Sequence, residues 1–177
     1  MNICVFCSAA DVDEKYAEVA REFGRLIAEG GHVLVWGGTV KGLMGVISNT
    51  VKEHGGVIRG VSIEKFKDRA HVNADEMVIA KDLAERKALL LQRSDALVAM
   101  VGGVGTLDEI TEMIELKKYG THQKPVAFLN TDGFFDGIQA FFTRADIEGF
   151  LHFPLEDIVH FARTPQELMT YLESYGR

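Results

Sequence analysis

The sequence predicts an α/β fold: a doubly wound, Rossmann-like parallel sheet with helices on both faces. Short, almost wholly apolar runs alternate along the chain with segments whose apolar residues recur at helical spacing. Strands that are apolar along their whole length belong to parallel sheets covered on both faces. The 177 residues show no internal repeat, linker or low-complexity segment. A chain of this length usually forms one domain, so we expect a single domain over residues 1–177.

Four strands are predicted in the first half of the chain, at residues 3–6, 33–36, 57–63 and 77–80. Helical periodicity follows the first and second of these runs, and Gly-Gly pairs at 30–31 and 55–56 mark where those helices stop. After the fourth strand, Asp82 stands three residues before Glu85. This spacing is a capping box, and it predicts a helix that runs towards Arg93.

The second half continues the alternation, with strands predicted at residues 96–101, 125–129 and 158–161. A helix is expected from the glycine-rich stretch at 102–105 to about Tyr119, and a Phe-rich helix is expected after residue 129. Thr164 and Glu167 form a second capping box with Pro165 at the first helical position, which predicts a terminal helix.

Charge and hydropathy exclude several classes of function. A formal net charge of −7 disfavours binding to a nucleic acid polymer or to an anionic membrane. It does not exclude one small anionic ligand. No apolar run approaches the ~20 residues of a spanning helix, and the start of the chain lacks the charged region of a signal peptide. We therefore expect no membrane association and a cytoplasmic location.

The two cysteines form a Cys4-x-x-Cys7 pattern, which raises the question of redox or metal chemistry. Redox pairs lie at a helix N-terminus, whereas Cys4 lies within a predicted strand, where residues three apart point to opposite faces. None of the six His residues has metal-ligand spacing with the pair. We expect reduced cysteines, no metal and no cofactor.

Glycine is enriched, at 18 of 177 residues, against an average near 7%. Two glycine clusters, at residues 37–45 and 102–105, lie where a strand hands over to a helix. Glycine there lets backbone N–H groups approach an anion at the helix N-terminus, and Thr106 adds a hydroxyl and can cap the helix. Glycines that only allow close packing are the alternative, but two equivalent clusters favour phosphate binding. Neither cluster is a Walker loop or a dinucleotide fingerprint.

Three charged residues are expected beside these clusters, at the carboxyl edge of the sheet. Arg86 and Lys87 fall in the first turns of the helix after Asp82, where a guanidinium can grip a phosphate or sugar. Glu109 is a candidate general acid or base. Each has a second interpretation: the basic pair can be a solvated face, and Thr106-x-x-Glu109 is itself a capping box.

Four motifs together resemble one family. They are Gly-Gly-x-Gly-Thr-x-x-Glu at 102–109, Glu-Arg-Lys at 85–87, Gly-Leu-Met-Gly at 42–45 and Cys-Val-Phe-Cys at 4–7. In order and spacing they are similar to the LONELY GUY proteins, cytokinin riboside 5′-monophosphate phosphoribohydrolases long labelled possible lysine decarboxylases. The resemblance extends from Ile3 to about the last helix.

The resemblance implies a nucleotide-binding domain that hydrolyses the N-glycosidic bond of adenine-type nucleoside 5′-monophosphates to free base and ribose 5-phosphate. It implies Arg86 and Glu109 as the catalytic pair. It also implies a homodimer or larger homo-oligomer, with sites near the subunit interface. The residues expected to bind the substrate and its phosphate are Ser8, Gly37, Gly38, Lys87, Gly102, Gly103, Gly105 and Thr106.

Several positions depart from the family pattern. Val101 replaces a Pro, Leu83 replaces a Met, Thr39 replaces a Gly, and Lys41 stands where an apolar residue is common. Such changes fit a second interpretation, a non-catalytic nucleotide or phosphorylated-cofactor carrier resembling molybdenum cofactor carriers. A lysine decarboxylase is disfavoured because nothing marks a pyridoxal-phosphate lysine. A nicotinamide-dependent oxidoreductase is disfavoured because its fingerprint is missing.

Overall fold

Seven parallel strands form one sheet in the computed structural model, which describes residues 1–175. The strands are β1 (Asn2–Phe6), β2 (Val33–Trp36), β3 (Val57–Ile63), β4 (Glu76–Ala80), β5 (Ala96–Ala99), β6 (Val126–Leu129) and β7 (His160–Ala162). Their order across the sheet is β4-β3-β2-β1-β5-β6-β7, and every neighbouring pair is parallel. The predicted fold class is confirmed.

Helices cover both faces of the sheet. They are α1 (Glu14–Glu29), α2 (Gly42–Glu53), α3 (Leu83–Gln92), α4 (Val104–Lys118), α5 (Asp136–Ile147), α6 (Leu155–Ile158) and α7 (Pro165–Ser174), with 3₁₀ helices at Glu64–Arg69 and Thr131–Gly133. Buried side chains of α1, α2 and α7 pack on one face, and those of α3 to α6 pack on the other. Among residues 1–175, no helix combines the length and apolar character needed to cross a membrane.

The side chains of β1, the central strand, alternate between the hydrophobic cores on the two faces of the sheet. Ile3 and Val5 are fully buried against one layer of helices, and Cys4 and Phe6 are buried against the other. This is the period of two expected for a strand. Cys7 returns to the layer of Ile3, so Cys4 and Cys7 point to opposite faces, as their spacing predicts. Both are free thiols.

The strand order reverses between β1 and β5. From β1 the chain builds β2, β3 and β4 on one side, and then crosses to build β5, β6 and β7 on the other. At such a switch point the connections leave the sheet in opposite directions and open a crevice at the carboxyl ends of the strands. Backbone bonds from Met100 N to Phe6 O (2.8 Å) and from Ser8 N to Val101 O (3.1 Å) hold the two sides together there.

Two predicted strands differ from the structure by two residues at one end, while β1, β4 and β6 differ from their predicted bounds by a single residue. The run at 96–101 ends as a strand at Ala99, because Met100 and Val101 keep only isolated hydrogen bonds beyond it. The last strand lies at His160–Ala162 rather than at 158–161, because Ile158 belongs to the short helix α6.

Both predicted caps, Asp82 and Thr164, accept hydrogen bonds from the third residue of their helices. The Glu of each box, however, accepts from the residue before the cap, at Lys81 and Arg163.

Candidate active site

A cavity of about 430 Å³ opens at the carboxyl edge of the sheet, beside the switch point. This is a volume typical of small-molecule sites. Loops after β1, β2 and β5 and the first turns of α2, α3 and α4 enclose it. It brings together eight of the ten residues singled out from the sequence: Ser8, Gly37, Arg86, Lys87, Gly103, Gly105, Thr106 and Glu109.

The other two residues, Gly38 and Gly102, stand behind the cavity wall. A methyl group built on Gly38 would lie 3.0 Å from the Met77 sulfur, and one on Gly102 would lie 2.7 Å from Thr106 Cβ. Both glycines therefore make room for the protein's own side chains. Gly38 also has a left-handed φ of 79°, which favours glycine independently of the packing.

Helix α4 begins earlier than the capping pattern suggests. Its first residue is Val104 and its N-cap is Gly103, which has no side chain to satisfy the first N–H groups. Thr106 lies in the first turn and is not the cap, so the expectation that it caps the helix is wrong. Methyl groups built on Gly103 and Gly105 would meet nothing within 4 Å. The N-terminal end of α4 therefore faces open space that an anion can occupy.

Arg86 and Glu109 form an ion pair in the wall of the cavity. Nη1 of Arg86 donates to Oε1 of Glu109, and Nε donates to the Val61 carbonyl oxygen at 3.0 Å. The two side chains are 12% and 9% exposed. Glu109 therefore pairs with Arg86 rather than with the backbone at the start of α4, and the capping-box interpretation of Glu109 is wrong.

Burial sets the protonation behaviour of the acidic groups here. Desolvation raises the pKa of Glu109 above its ordinary value, and the positive charge and hydrogen bond of Arg86 oppose that rise. A carboxylate with a raised pKa is a stronger base near neutral pH. Burial first, and the Glu109 charge second, raise the pKa of the neighbouring Cys7 thiol. The thiol stays protonated, which makes it a poor nucleophile.

Lys87 and Ser8 both line the cavity but are partly engaged elsewhere. The Lys87 ammonium pairs with Glu112 and, at 3.1 Å, with Asp108, so it links α3 to α4. The hydrogen bond to Glu112 is the main reason that the pKa of Lys87 is raised. Ser8 Oγ accepts from the backbone N–H of Ala10 at 3.0 Å, which leaves its own hydroxyl proton free to donate.

Sequence reasoning missed the wall built by the 3₁₀ helix Glu64–Arg69, which contributes Phe66 and Arg69 to the cavity. An antiparallel bridge between Thr39 and Ala70 ties this helix to the loop after β2. The available signal was one aromatic residue within the charged stretch at residues 64–69. Met44 and Leu83 add further apolar lining.

The cavity carries a cationic excess within an acidic protein. Four basic side chains and two acidic ones line it: Lys41, Arg69, Arg86 and Lys87, with Asp108 and Glu109. The protein as a whole has a net charge of −7. Local charge and an open helix terminus therefore both favour a small anionic ligand. In the part of the chain that the structure describes, no group of three or more His, Cys, Asp or Glu side chains is placed to bind a metal ion.

Solved structures share the architecture with this chain. Among them is a Moco carrier protein from Chlamydomonas reinhardtii, which superposes with a TM-score of 0.75 at 26% identity. The match covers 97% of this chain and 94% of that one.

Two plant proteins named cytokinin riboside 5′-monophosphate phosphoribohydrolase are similar over nearly the whole chain. The one from Oryza sativa subsp. japonica is 38% identical, covering 98% of this chain and 73% of that protein. The one from Arabidopsis thaliana is 35% identical, covering 99% and 83%. A family model described as "Possible lysine decarboxylase" matches residues 44–172. The chain therefore belongs to the possible lysine decarboxylase family, the LONELY GUY family that its motifs resemble.

Proposed function

We propose that this protein hydrolyses the N-glycosidic bond of adenine-type nucleoside 5′-monophosphates, AMP and N6-substituted AMP among them, to free base and ribose 5-phosphate. One observation carries the proposal: the buried Arg86–Glu109 pair shares a cavity with the open N-terminus of α4. The names of the two plant relatives support the same reaction. Arg86 and Glu109 are the proposed catalytic residues.

The 5′-phosphate binds at the N-terminus of α4 in this proposal. Backbone N–H groups at Gly103 and Gly105 and the Thr106 hydroxyl provide donors, and the helix dipole adds a partial positive charge. Ser8 and Lys87 stand at the same cavity wall. The base lies towards the apolar side chains that line the cavity, Met44, Phe66 and Leu83.

The chemistry follows from the charge that develops as the bond breaks. Cleavage of the bond between C1′ and the base nitrogen leaves positive charge on the ribose ring, which the Glu109 carboxylate stabilises. Glu109 also orients the water whose hydroxyl bonds to C1′, and the remaining water proton passes to the departing base. Arg86 fixes the position of the Glu109 carboxylate relative to the substrate.

A homodimer or larger homo-oligomer is part of the proposal. Leu83 at the cavity is 55% exposed, and Val104 at the start of α4 is 84% exposed. The resemblance to the LONELY GUY family implies sites near a subunit interface, where a partner subunit would cover these two side chains. Light scattering coupled to size-exclusion chromatography tests this, and a monomer at micromolar concentration would contradict it. The proposed compartment is the cytoplasm, where cysteines remain unpaired, as Cys4 and Cys7 are.

The direct test is a panel of nucleoside monophosphates. The purified protein is incubated with AMP, an N6-substituted AMP and other purine and pyrimidine monophosphates, and the free base is measured by chromatography. We expect release from the adenine nucleotides. Absence of release from every member of the panel would overturn the proposal.

Glu109→Gln tests the central residue. Loss of the carboxylate is expected to lower kcat by about 10²–10⁴-fold while the protein remains folded, as circular dichroism at the assay temperature would show. Glu115→Gln on the same helix is the matched control, since Glu115 pairs with Lys118 and is 53% exposed. Equal activity of the Glu109 variant and the control would remove Glu109 from the reaction.

A non-catalytic carrier of a nucleotide or phosphorylated cofactor is the second candidate, favoured by the likeness to the Chlamydomonas carrier. Phosphate binding at α4 would serve either function, but a carrier has no use for the buried Arg86–Glu109 pair. Calorimetry combined with the panel separates the two. Tight nucleotide binding without turnover would favour the carrier.

A further inference from the structure

Gly37, the residue directly after β2, lies under the guanidinium of Arg86. A methyl group built on Gly37 would clash with Nη2 of Arg86. We propose that Gly37 is a positioning residue. Because it has no side chain, it leaves a space, called the seat below, that the Arg86 guanidinium must occupy to reach Glu109. The inference rests on the proposed function in so far as Arg86 acts in that reaction.

Three groups from three elements surround the guanidinium. The Val61 carbonyl of β3 accepts from Nε at 3.0 Å, Glu109 of α4 accepts from Nη1, and the backbone at Gly37 lies beside Nη2. Val61 is one residue beyond the last β2–β3 pair, which joins Trp36 to Gly60. The guanidinium therefore lies just beyond the end of the β2–β3 pairing, next to Gly37.

The backbone conformation does not by itself require glycine at position 37. Gly38 and Gly42 have φ values of 79° and 54°, in the left-handed region, whereas Gly37 is outside it. The other atoms near a methyl group at Gly37 are Sδ and Cε of Met44, at 3.0 and 3.2 Å. The three nearest atoms are therefore ends of flexible side chains, and an alanine can be accommodated if Arg86 moves.

This role differs from that of a phosphate-binding glycine. Gly37→Ala keeps the backbone N–H but adds a methyl group that hinders a phosphate from approaching it. A residue that serves a phosphate only through its backbone would therefore show a raised KM that does not depend on Arg86. A residue that seats Arg86 would show a lowered kcat, and the effect would disappear once Arg86 is removed.

A double-mutant cycle measures this difference. The variants are Gly37→Ala, Arg86→Ala and both together, with Gly137→Ala as the matched control because a methyl group there meets nothing within 4 Å. We expect Gly37→Ala to lower kcat by roughly 10–100-fold, the scale of a misplaced catalytic group. In the Arg86→Ala background the same change should have no further effect. Losses that multiply, or a fully active Gly37→Ala variant, would overturn the inference.

A titration of Glu109 tests the seat without any substrate. Arg86 and Lys87 lower the pKa of Glu109, and Asp108 raises it. If Gly37→Ala displaces the guanidinium, the Glu109 carboxyl carbon should titrate at higher pH in a ¹³C NMR experiment, close to its position in Arg86→Ala. An unchanged titration would overturn the inference. This readout separates failure of the inference from failure of the proposed function, since it requires no turnover.

Thermal unfolding completes the set. Arg86→Ala is itself expected to lower the midpoint, because it leaves the buried Glu109 carboxylate without its partner. Gly37→Ala should therefore lower the midpoint of the unchanged protein but not that of the Arg86→Ala variant, because the clash is with Arg86. An equal lowering in both backgrounds would contradict the inference, because another part of the fold is then responsible.

Discussion

The two glycine-rich turns, after β2 and after β5, look alike in the sequence but differ in what lies beside their glycines. After β2, methyl groups built on Gly37, Gly42 and Gly45 would all meet atoms of the protein within 3 Å. After β5, Gly102 makes room for the Thr106 side chain, whereas Gly103 and Gly105 face open space at the start of α4. The first turn accommodates the protein's own groups, and the second also leaves room for a ligand. A glycine cluster at a strand-to-helix turn therefore indicates close approach, but not what approaches.

The largest expected effect in this comparison is on stability, at Gly45 in the first turn of α2, which follows the turn after β2. A methyl group there would lie 2.5 Å from the carbonyl carbon of Val40. Backbone cannot yield as a side-chain end can, so Gly45→Ala should lower the free energy of unfolding by roughly 3 kcal/mol. Urea denaturation measures this, with Gly137→Ala as the control. Unchanged stability would show that this glycine is not needed for packing.

Gly105→Ala should have the opposite profile, because its surroundings are open. Alanine at this helical position should stabilise the fold by up to about 1 kcal/mol. The added methyl group intrudes where the phosphate is proposed to bind, so KM for AMP should rise about 10-fold or more, equivalent to ~1.4 kcal/mol. Denaturation tests the expected gain in stability, and steady-state kinetics on the same preparation test the expected rise in KM. An unchanged KM would place the phosphate elsewhere.

The smallest expected effect is a displacement of the pH profile. Burial raises the pKa of Glu109, and the proposed reaction needs its carboxylate. Activity should therefore fall, as pH decreases, at a higher pH than an ordinary Glu would give. Because Arg86 lowers this pKa, Arg86→Ala should move the acid limb of kcat/KM further upward. A limb that stays in place would show that a different group titrates.

Much of the fold could be predicted from the sequence because its signals are local. Apolar runs located the strands, and the caps at Asp82 and Thr164 located two helix starts. The exceptions were short elements. The 3₁₀ helix Glu64–Arg69 has too few residues for a periodic pattern, and α6, which displaced the last strand, has four.

The residue types of the site could be predicted from the sequence, but which side chains form ion pairs with one another could not. From the sequence alone, Glu109 fitted a capping box equally well. In the structure, Arg86 of α3 lies beside Glu109 of α4 and is held there by the Val61 carbonyl of β3. Lys87 looked like a free phosphate ligand, yet Asp108 and Glu112 already pair with it. The roles of the glycines depend on atoms far away in the chain, as Gly37 and Arg86 show. No local pattern records such contacts.

The bridge between Thr39 and Ala70 has a consequence for how this protein can change its preferred base. It fastens the segment bearing Phe66 and Arg69 to the loop that begins at Gly37. In the proposed function, the wall that contacts the base and the loop that positions the Arg86 guanidinium are thus tied together by this bridge. Remodelling at Phe66 to admit a new base would also disturb Arg86, so we expect altered preference and slower turnover to be acquired together.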